Sequence, residues 1–378
     1  MKQAAWIALV IACGGSHPMS PNDANSRTDA VASDAVVIDA PMPAHYVAYI
    51  SGYGPKIAWF DFEPATGALT PVGSLAANQA SFLALTSAHA YAVNEGGNKL
   101  GAYAIDQTTG ALTFINEVSS SGAGPAHVSV DHTGAFALVA NYGGGTAAVV
   151  PIRTDGGLAA ATVTVSPGTN AHMVITDPAN KFAFVPCQGS DFVAQYTFVA
   201  ATGALAANAV PHLTSPAGAG PRHLAFAPDG HHAYLVAENA STLMALAYDA
   251  NAGRLATIQT LSTRAAGATG TNTGAEVAVH PNGKFVYASN RGDNNIAVFS
   301  IDASNGMVAP IAHTPAGGMT PRMFAIDPTG AWLFVANQTS STVTTFAIAP
   351  ATGLLTAKGS PLAVAQPSFV GFVALPPR

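Results

Sequence analysis

Past residue 44 the apolar positions come in short runs, each cut off by Gly, Pro, Asn or Asp. One unit recurs: a short apolar strand, an Asp- or Pro-containing turn, then an aromatic and apolar strand. Its copies span residues 128–141, 173–187, 224–237, 277–290 and 324–337, and several end in Asn. Half a period away lies a polar turn that closes on Gly-x-Leu or Gly-x-Val, with its glycine at Gly67, Gly110, Gly156, Gly203, Gly253, Gly306 and Gly353. These are 43, 46, 47, 50, 53 and 47 residues apart. Four short strands in each period of that length are the pattern of propeller blades. The sequence therefore predicts an all-β fold, a seven-bladed β-propeller of four-stranded antiparallel blades. Residues 46–50, 57–62 and 69–74 supply only three strands at one end, and residues 368–373 an orphan strand at the other. The two ends are expected to build one blade together and so to leave no free sheet edge.

The first 44 residues lack this pattern. Met1-Lys2, an apolar run over 4–12 and Val10-Ile11-Ala12-Cys13 resemble a bacterial lipoprotein signal. The resemblance implies cleavage before Cys13, lipid on its thiol and new amino terminus, and, with Gly14 next, sorting to the outer membrane. The other reading is an ordinary signal peptide cut elsewhere; under either, the chain is exported. Residues 13–44, rich in Ser, Asp, Ala and Pro, read as a flexible tether, which leaves 45–378 as the propeller domain. No apolar run reaches the roughly 18 residues of a spanning helix, so membrane contact is expected only through the N-terminal lipid. Only 9% of residues are charged, the formal net charge is -6 and basic clusters are missing, which argues against a nucleic-acid partner. The two cysteines, Cys13 and Cys187, form no disulfide if the first is acylated. Nothing in the sequence calls for more than a monomer.

Positions at which the repeats agree report the scaffold, whereas polar residues on which they disagree are candidates for function. Aligned on their turns, the copies place Ser81, Ala126, His172, Arg222, Ala275 and Arg322 in one column at the start of the innermost strand. Phe82, His127, Met173, His223, Glu276 and Met323 form the next. Glu95, Tyr142, Gln188, Glu238, Arg291 and Gln338 follow the second strand, and antiparallel pairing returns them to the same face. His127, His172, Arg222, His223, Glu238, Glu276, Arg291 and Arg322 are thus expected around one channel mouth. Arg322 is expected to pair with a carboxylate there, Glu276. Cys187 reads as a small buried side chain, and Phe136, Phe184, Tyr234, Phe285 and Trp332 as core between blades. Phosphate-loop, CxxC, HExxH and EF-hand patterns are missing, so no cofactor and no metal site is predicted.

The runs 126–134 (AHVSVDHTG), 220–230 (GPRHLAFAPDG), 275–292 (AEVAVHPNGKFVYASNRG) and 320–330 (TPRMFAIDPTG) resemble the seven-bladed lactonase family. That family includes propeller-type 6-phosphogluconolactonases and carboxy-muconate cyclases, and the resemblance covers 45–378. It implies a catalytic set of His172, Arg222, Glu238 and Arg291; the aligned columns add His127, His223, Glu276 and Arg322 as substrate-binding candidates. The chain departs from the family's usual neighbours at Ala171, Cys187 and Ala237, where Pro, Asp and Asn are usual. Opening a lactone requires a base to activate water, a donor for the oxyanion and an anchor for an anionic group. His172 or Glu238 fits the first role, and the two arginines fit the others through forked hydrogen bonds. The expected partner is a small-molecule sugar lactone. The competing expectation is a non-catalytic exported propeller that binds a ligand or a protein.

Overall fold

The structure is a computed structural model that describes residues 45–377. Apart from one 3-10 turn at Gln188–Ser190, its regular structure is 28 strands in seven four-stranded antiparallel sheets. We number these as blades 1 to 7 in chain order, beginning with the one that holds His45–Gly52. Blades 2 to 7 are each one continuous stretch of chain. Blade 1 is composite: the strand Pro367–Leu375 is its innermost member, followed by His45–Gly52, Lys56–Glu63 and Ala68–Ala76. Its seam runs in register from His45 opposite Leu375 to Ser51 opposite Phe369, as the three-strand count at the N-terminal end requires. No helix among the described residues is long and apolar enough to cross a membrane.

The core lies between blades. Phe62 of blade 1 packs edge-on against Phe334 of blade 7, and both meet Phe372 of the closing strand. Phe136, Phe184, Tyr234, Phe285 and Trp332 are all buried at equivalent strands. The repeated turn glycines are fixed twice over. Their φ values lie between 61° and 79°, a region that L-residues with a Cβ avoid. In addition, a Cβ on Gly67, Gly203 or Gly353 would stand 2.5–2.7 Å from the aromatic ring of Trp332, Phe136 or Phe285 in the preceding blade. Tyrosines add latches across the same boundary: Tyr49, Tyr91, Tyr234 and Tyr287 donate to the carbonyls of Gly110, Gly156, Gly306 and Gly353 at 2.7–3.1 Å. The recurrent asparagines serve local geometry through their side chains. Asn141, Asn290 and Asn337 donate to the carbonyls of Ser120, Thr263 and Ala316, and Asn94 accepts from the Gly97 N–H.

Candidate active site

The innermost strands start with a β-bulge. Pro221 opposes Ala237 but His223 already opposes Val236, so Arg222 is the extra residue; Ala126 and Arg322 are extra in the same way. A bulge re-aims side chains and frees them from the simple in-out alternation of a strand. The loop after the second strand is tied to this bulge. The N–H groups of Glu95, Tyr142, Gln188, Glu238, Arg291 and Gln338 bond the carbonyls of Gln79, Gly124, Asn170, Gly220, Thr273 and Thr320, each two residues before the first-column member of its blade. The three sequence columns therefore do converge on one mouth.

Blade 1 completes the columns with residues that the sequence alignment missed. Tyr53 N–H bonds the Gln366 carbonyl, two residues before Ser368, which makes Tyr53 and Ser368 the seventh members. The signal was present in the Gly52-Tyr53 step after the second strand, but that step aligns only once the C-terminal strand is moved to the front. Tyr53, Ser81, His172, Arg222, His223 and Arg322 are among the residues that line a small, narrow recess at the mouth. Larger grooves lie elsewhere, such as one along the outer part of blade 7, but the charged groups gather here.

At the recess Glu238 is held between two guanidinium groups. Arg291 Nη2 lies 2.7 Å from its Oε1, and Arg222 Nε lies 3.0 Å from its Oε2, off the hydrogen-bond axis, so the second contact is chiefly ionic. Arg222 is only 2% exposed and also donates Nη1 to the Ala275 carbonyl. Burial and the nearby Arg322 and Arg291 lower its pKa to about 9, with Glu238 and Glu276 opposing, so it remains a cation at neutral pH. Burial pushes the Glu238 carboxyl up, but Arg222, Arg291 and Arg322 outweigh it and hold the group below its ordinary value.

Arg322 does not pair with Glu276. Its Nη2 donates to Tyr53 Oη at 3.0 Å, its guanidinium lies over the Tyr53 ring, and Tyr53 Oη donates to Glu95 Oε2 at 2.7 Å. Arg322 belongs to blade 7 and Tyr53 to blade 1, its next neighbour round the ring, while Glu276 is taken on the other side by His223. The imidazoles form an edge-to-face cluster below the mouth: His172 lies 5.0 Å and His127 5.7 Å from His223, centroid to centroid. Burial first, and the arginine charge second, hold the His172 imidazole well below its ordinary pKa; His127 and His223 shift the same way, again chiefly by burial. His127 accepts the Val174 N–H across the blade boundary at 3.5 Å. Cys187 is buried with its thiol pushed up to about 12 by desolvation, and the backbone opposite it is Ala171, so two of the three altered neighbours face one another in a β-bridge.

The profile of the family described as "Lactonase, 7-bladed beta-propeller" matches residues 45–372. The chain belongs to the seven-bladed β-propeller lactonase family. It is 33% identical over 287 residues to the 6-phosphogluconolactonase of Bacillus subtilis (strain 168), an alignment that spans 74% of this chain and 82% of that protein. A second relative, the 6-phosphogluconolactonase of Pectobacterium carotovorum, is 33% identical over 56% of this chain and 63% of that protein. Among solved structures, the periplasmic gluconolactonase of Pseudomonas aeruginosa superimposes with a TM-score of 0.82 at 28% identity, over 88% of this chain and all of that one. These likenesses make the chain a lactone-hydrolysing enzyme and set aside the non-catalytic expectation. Of the residues that the lactonase resemblance implies, Arg222, Glu238 and Arg291 are in direct ionic contact, and His172 lines the recess beside Arg222. Among the described residues no group of three or more His, Cys, Asp or Glu side chains is placed to hold a metal ion.

Proposed function

We propose that the mouth hydrolyses a sugar lactone of the gluconolactone type, that Arg222, Glu238, Arg291 and His172 make up the working face, and that the enzyme is exported and lipid-anchored through Cys13. Residues 1–44, which carry the signal and tether, lie outside the described residues. The reading rests on the Arg222–Glu238–Arg291 clamp at the rim of the recess. A buried guanidinium fixed before the substrate arrives can meet the charge that develops on the carbonyl oxygen without reorganising, and this is where electrostatic catalysis gains most.

Charge balance favours an unphosphorylated substrate. The cations Arg222, Arg291 and Arg322 face the carboxylates Glu238 and Glu95 and a Glu276 that burial raises to about 7, so the mouth carries a surplus of at most one positive charge, which falls to zero as Glu276 ionises. That surplus suits a single oxyanion better than an oxyanion together with a phosphate dianion. The exported address points the same way, as does the name of the periplasmic gluconolactonase neighbour.

The test is a lactone panel of gluconolactone, 6-phosphogluconolactone and a muconolactone, given to the chain from residue 45 and to an R222A/E238A variant. The expected result is acid release fastest per molar with gluconolactone, and a loss on the order of 10²–10³-fold in kcat in a folded variant. Turnover confined to the phosphorylated lactone would overturn the substrate class, and no turnover by folded protein would overturn the reading.

A further inference from the structure

Below the clamp a second carboxylate holds an imidazole. Glu276, on the innermost strand of blade 6, places both oxygens 3.0 Å from Nδ1 of His223 on the innermost strand of blade 5, and both side chains are buried. At three other positions of this column the side chain accepts the N–H that a bulge leaves open in the next blade. Met173 Sδ meets the Leu224 N–H, Met323 Sδ the Val370 N–H and His127 Nδ1 the Val174 N–H. In blade 5 that task has been taken from His223, because the matching N–H, of Val277, bonds Glu276 Oε1 instead. The scaffold therefore does not need His223 Nδ1, and the contact with Glu276 remains as one that orients the ring.

The other nitrogen is free to act. His223 Nε2 is buried without a hydrogen-bond partner, and His223 lines the recess together with Arg222. The competing bases are worse placed. Glu238 has each oxygen against a guanidinium, which makes it a poor proton acceptor. His172 lines the recess too, but its Nδ1 has no partner and its ring packs edge-on against Tyr142 and His223, with no carboxylate to fix its tautomer or balance an imidazolium.

We propose that His223 is the general base of lactone opening and that Glu276 is the positioning residue that keeps the imidazole proton on Nδ1. The inference rests on the lactonase reading and adds a residue pair outside the four-residue set. In the step, a water gives its proton to Nε2 as its oxygen bonds to the lactone carbonyl carbon, and the π pair moves onto the carbonyl oxygen beside Arg222. On collapse the bond from that carbon to the ring oxygen breaks, and the ring oxygen leaves with the proton from Nε2. The product is the open hydroxy acid, and the neutral imidazole is restored.

The experiment compares E276Q, H223Q and the double variant with the wild-type chain on the lactone that it turns over. An amide in place of Glu276 keeps the volume but donates to Nδ1, which moves the ring proton to Nε2 and blocks the base. The expected outcome is a fall in kcat on the order of 10²–10⁴-fold in either single variant, with KM little changed and no further loss in the double. The kcat profile of the wild type should rise as Glu276 ionises among Arg222, Arg291, Arg322, Glu238, His127 and His172, and E276Q should lose that limb. Nitrogen-15 NMR of the imidazoles supplies a readout apart from turnover: Nε2 of His223 should carry the lone pair in the wild type and a proton in E276Q. If both folded single variants keep kcat within about threefold while R222A/E238A is dead, the proposal fails and the lactonase reading stands. If the wild type opens no lactone, both fall.

Discussion

Two carboxylates about one blade apart show how little of a residue's behaviour is set by its type. Burial raises the Glu276 carboxyl to about 7, with Arg222 and the Val277 N–H recovering only part of the cost. The same desolvation acts on Glu238, where two direct guanidinium contacts reverse the sign. The two groups therefore contribute to stability in opposite directions. A folded-state pKa near 7 against an unfolded value near 4.5 means that, as pH rises between them, the unfolded chain releases a proton that the folded chain keeps. Stability is then lost across that window, by about 3 kcal/mol if the full shift is expressed. E276Q removes the titration, so its unfolding midpoint minus that of the wild type should be several degrees higher at pH 8 than at pH 5 in thermal melts. An equal difference at both pH values would show that Glu276 ionises in the folded chain as freely as in water. Glu238 acts on the acid side, where its contribution is present above its unfolded pKa and fades as pH falls through the lowered folded value. The sequence columns put Arg222, Glu238 and Arg291 at one mouth. They could not say that Arg322 reaches Tyr53 while Glu276 turns to His223, because which neighbour a long side chain meets depends on the angle between blades and on the bulge.

At the scale of the strand and turn, the blade glycines carry two constraints, of which only one was legible. The positive φ follows from the turn and could be read from Gly-x-Leu recurring six times and Gly-x-Val once. The second is tertiary: the turn of one blade receives a side chain, in most blades an aromatic ring, from the strand of the blade before it, and residues so far apart in sequence leave no local trace. Two substitutions separate the constraints. Gly134 has a φ of 73° and open space where a Cβ would go, whereas Gly253 has a φ of 61° and a Cβ there would collide with the Phe182 ring. G134A should cost about 1 kcal/mol, for the left-handed backbone alone. G253A should cost about 3 kcal/mol, because overpacking against a ring fixed in a blade core is added to it. Urea midpoints of the two variants decide the matter; equal midpoints would show that Phe182 yields and that the turn conformation alone selects glycine.

Over the whole molecule the seam in blade 1 joins stability to the site. The count of strands at the two ends was enough to predict the closure, but the site residues that the closure creates escaped the alignment, since Tyr53 and Ser368 belong to one blade from opposite ends of the chain. Removing Pro367–Leu375 would expose the edge of His45–Gly52, take Phe372 out of its contact with Phe62 and Phe334, and open the recess on the side of Ser368. A chain ended after residue 366 should therefore lose its cooperative unfolding transition rather than shift it, as expected when a ring becomes an open stack with a free sheet edge. A circular permutant distinguishes loss of the strand from loss of its covalent position. His45 and Leu375 are paired across the seam, so a short Gly/Ser linker can join them, and new ends can be opened at Ala201–Thr202, in an exposed turn on the face away from the mouth. That permutant keeps every strand and both of the column members that blade 1 contributes, Tyr53 and Ser368. It should unfold cooperatively within a few degrees of the wild type and retain lactone turnover, whereas the truncated chain should do neither. A truncated chain that melted like the wild type would mean that the six other blades hold the ring without the seam.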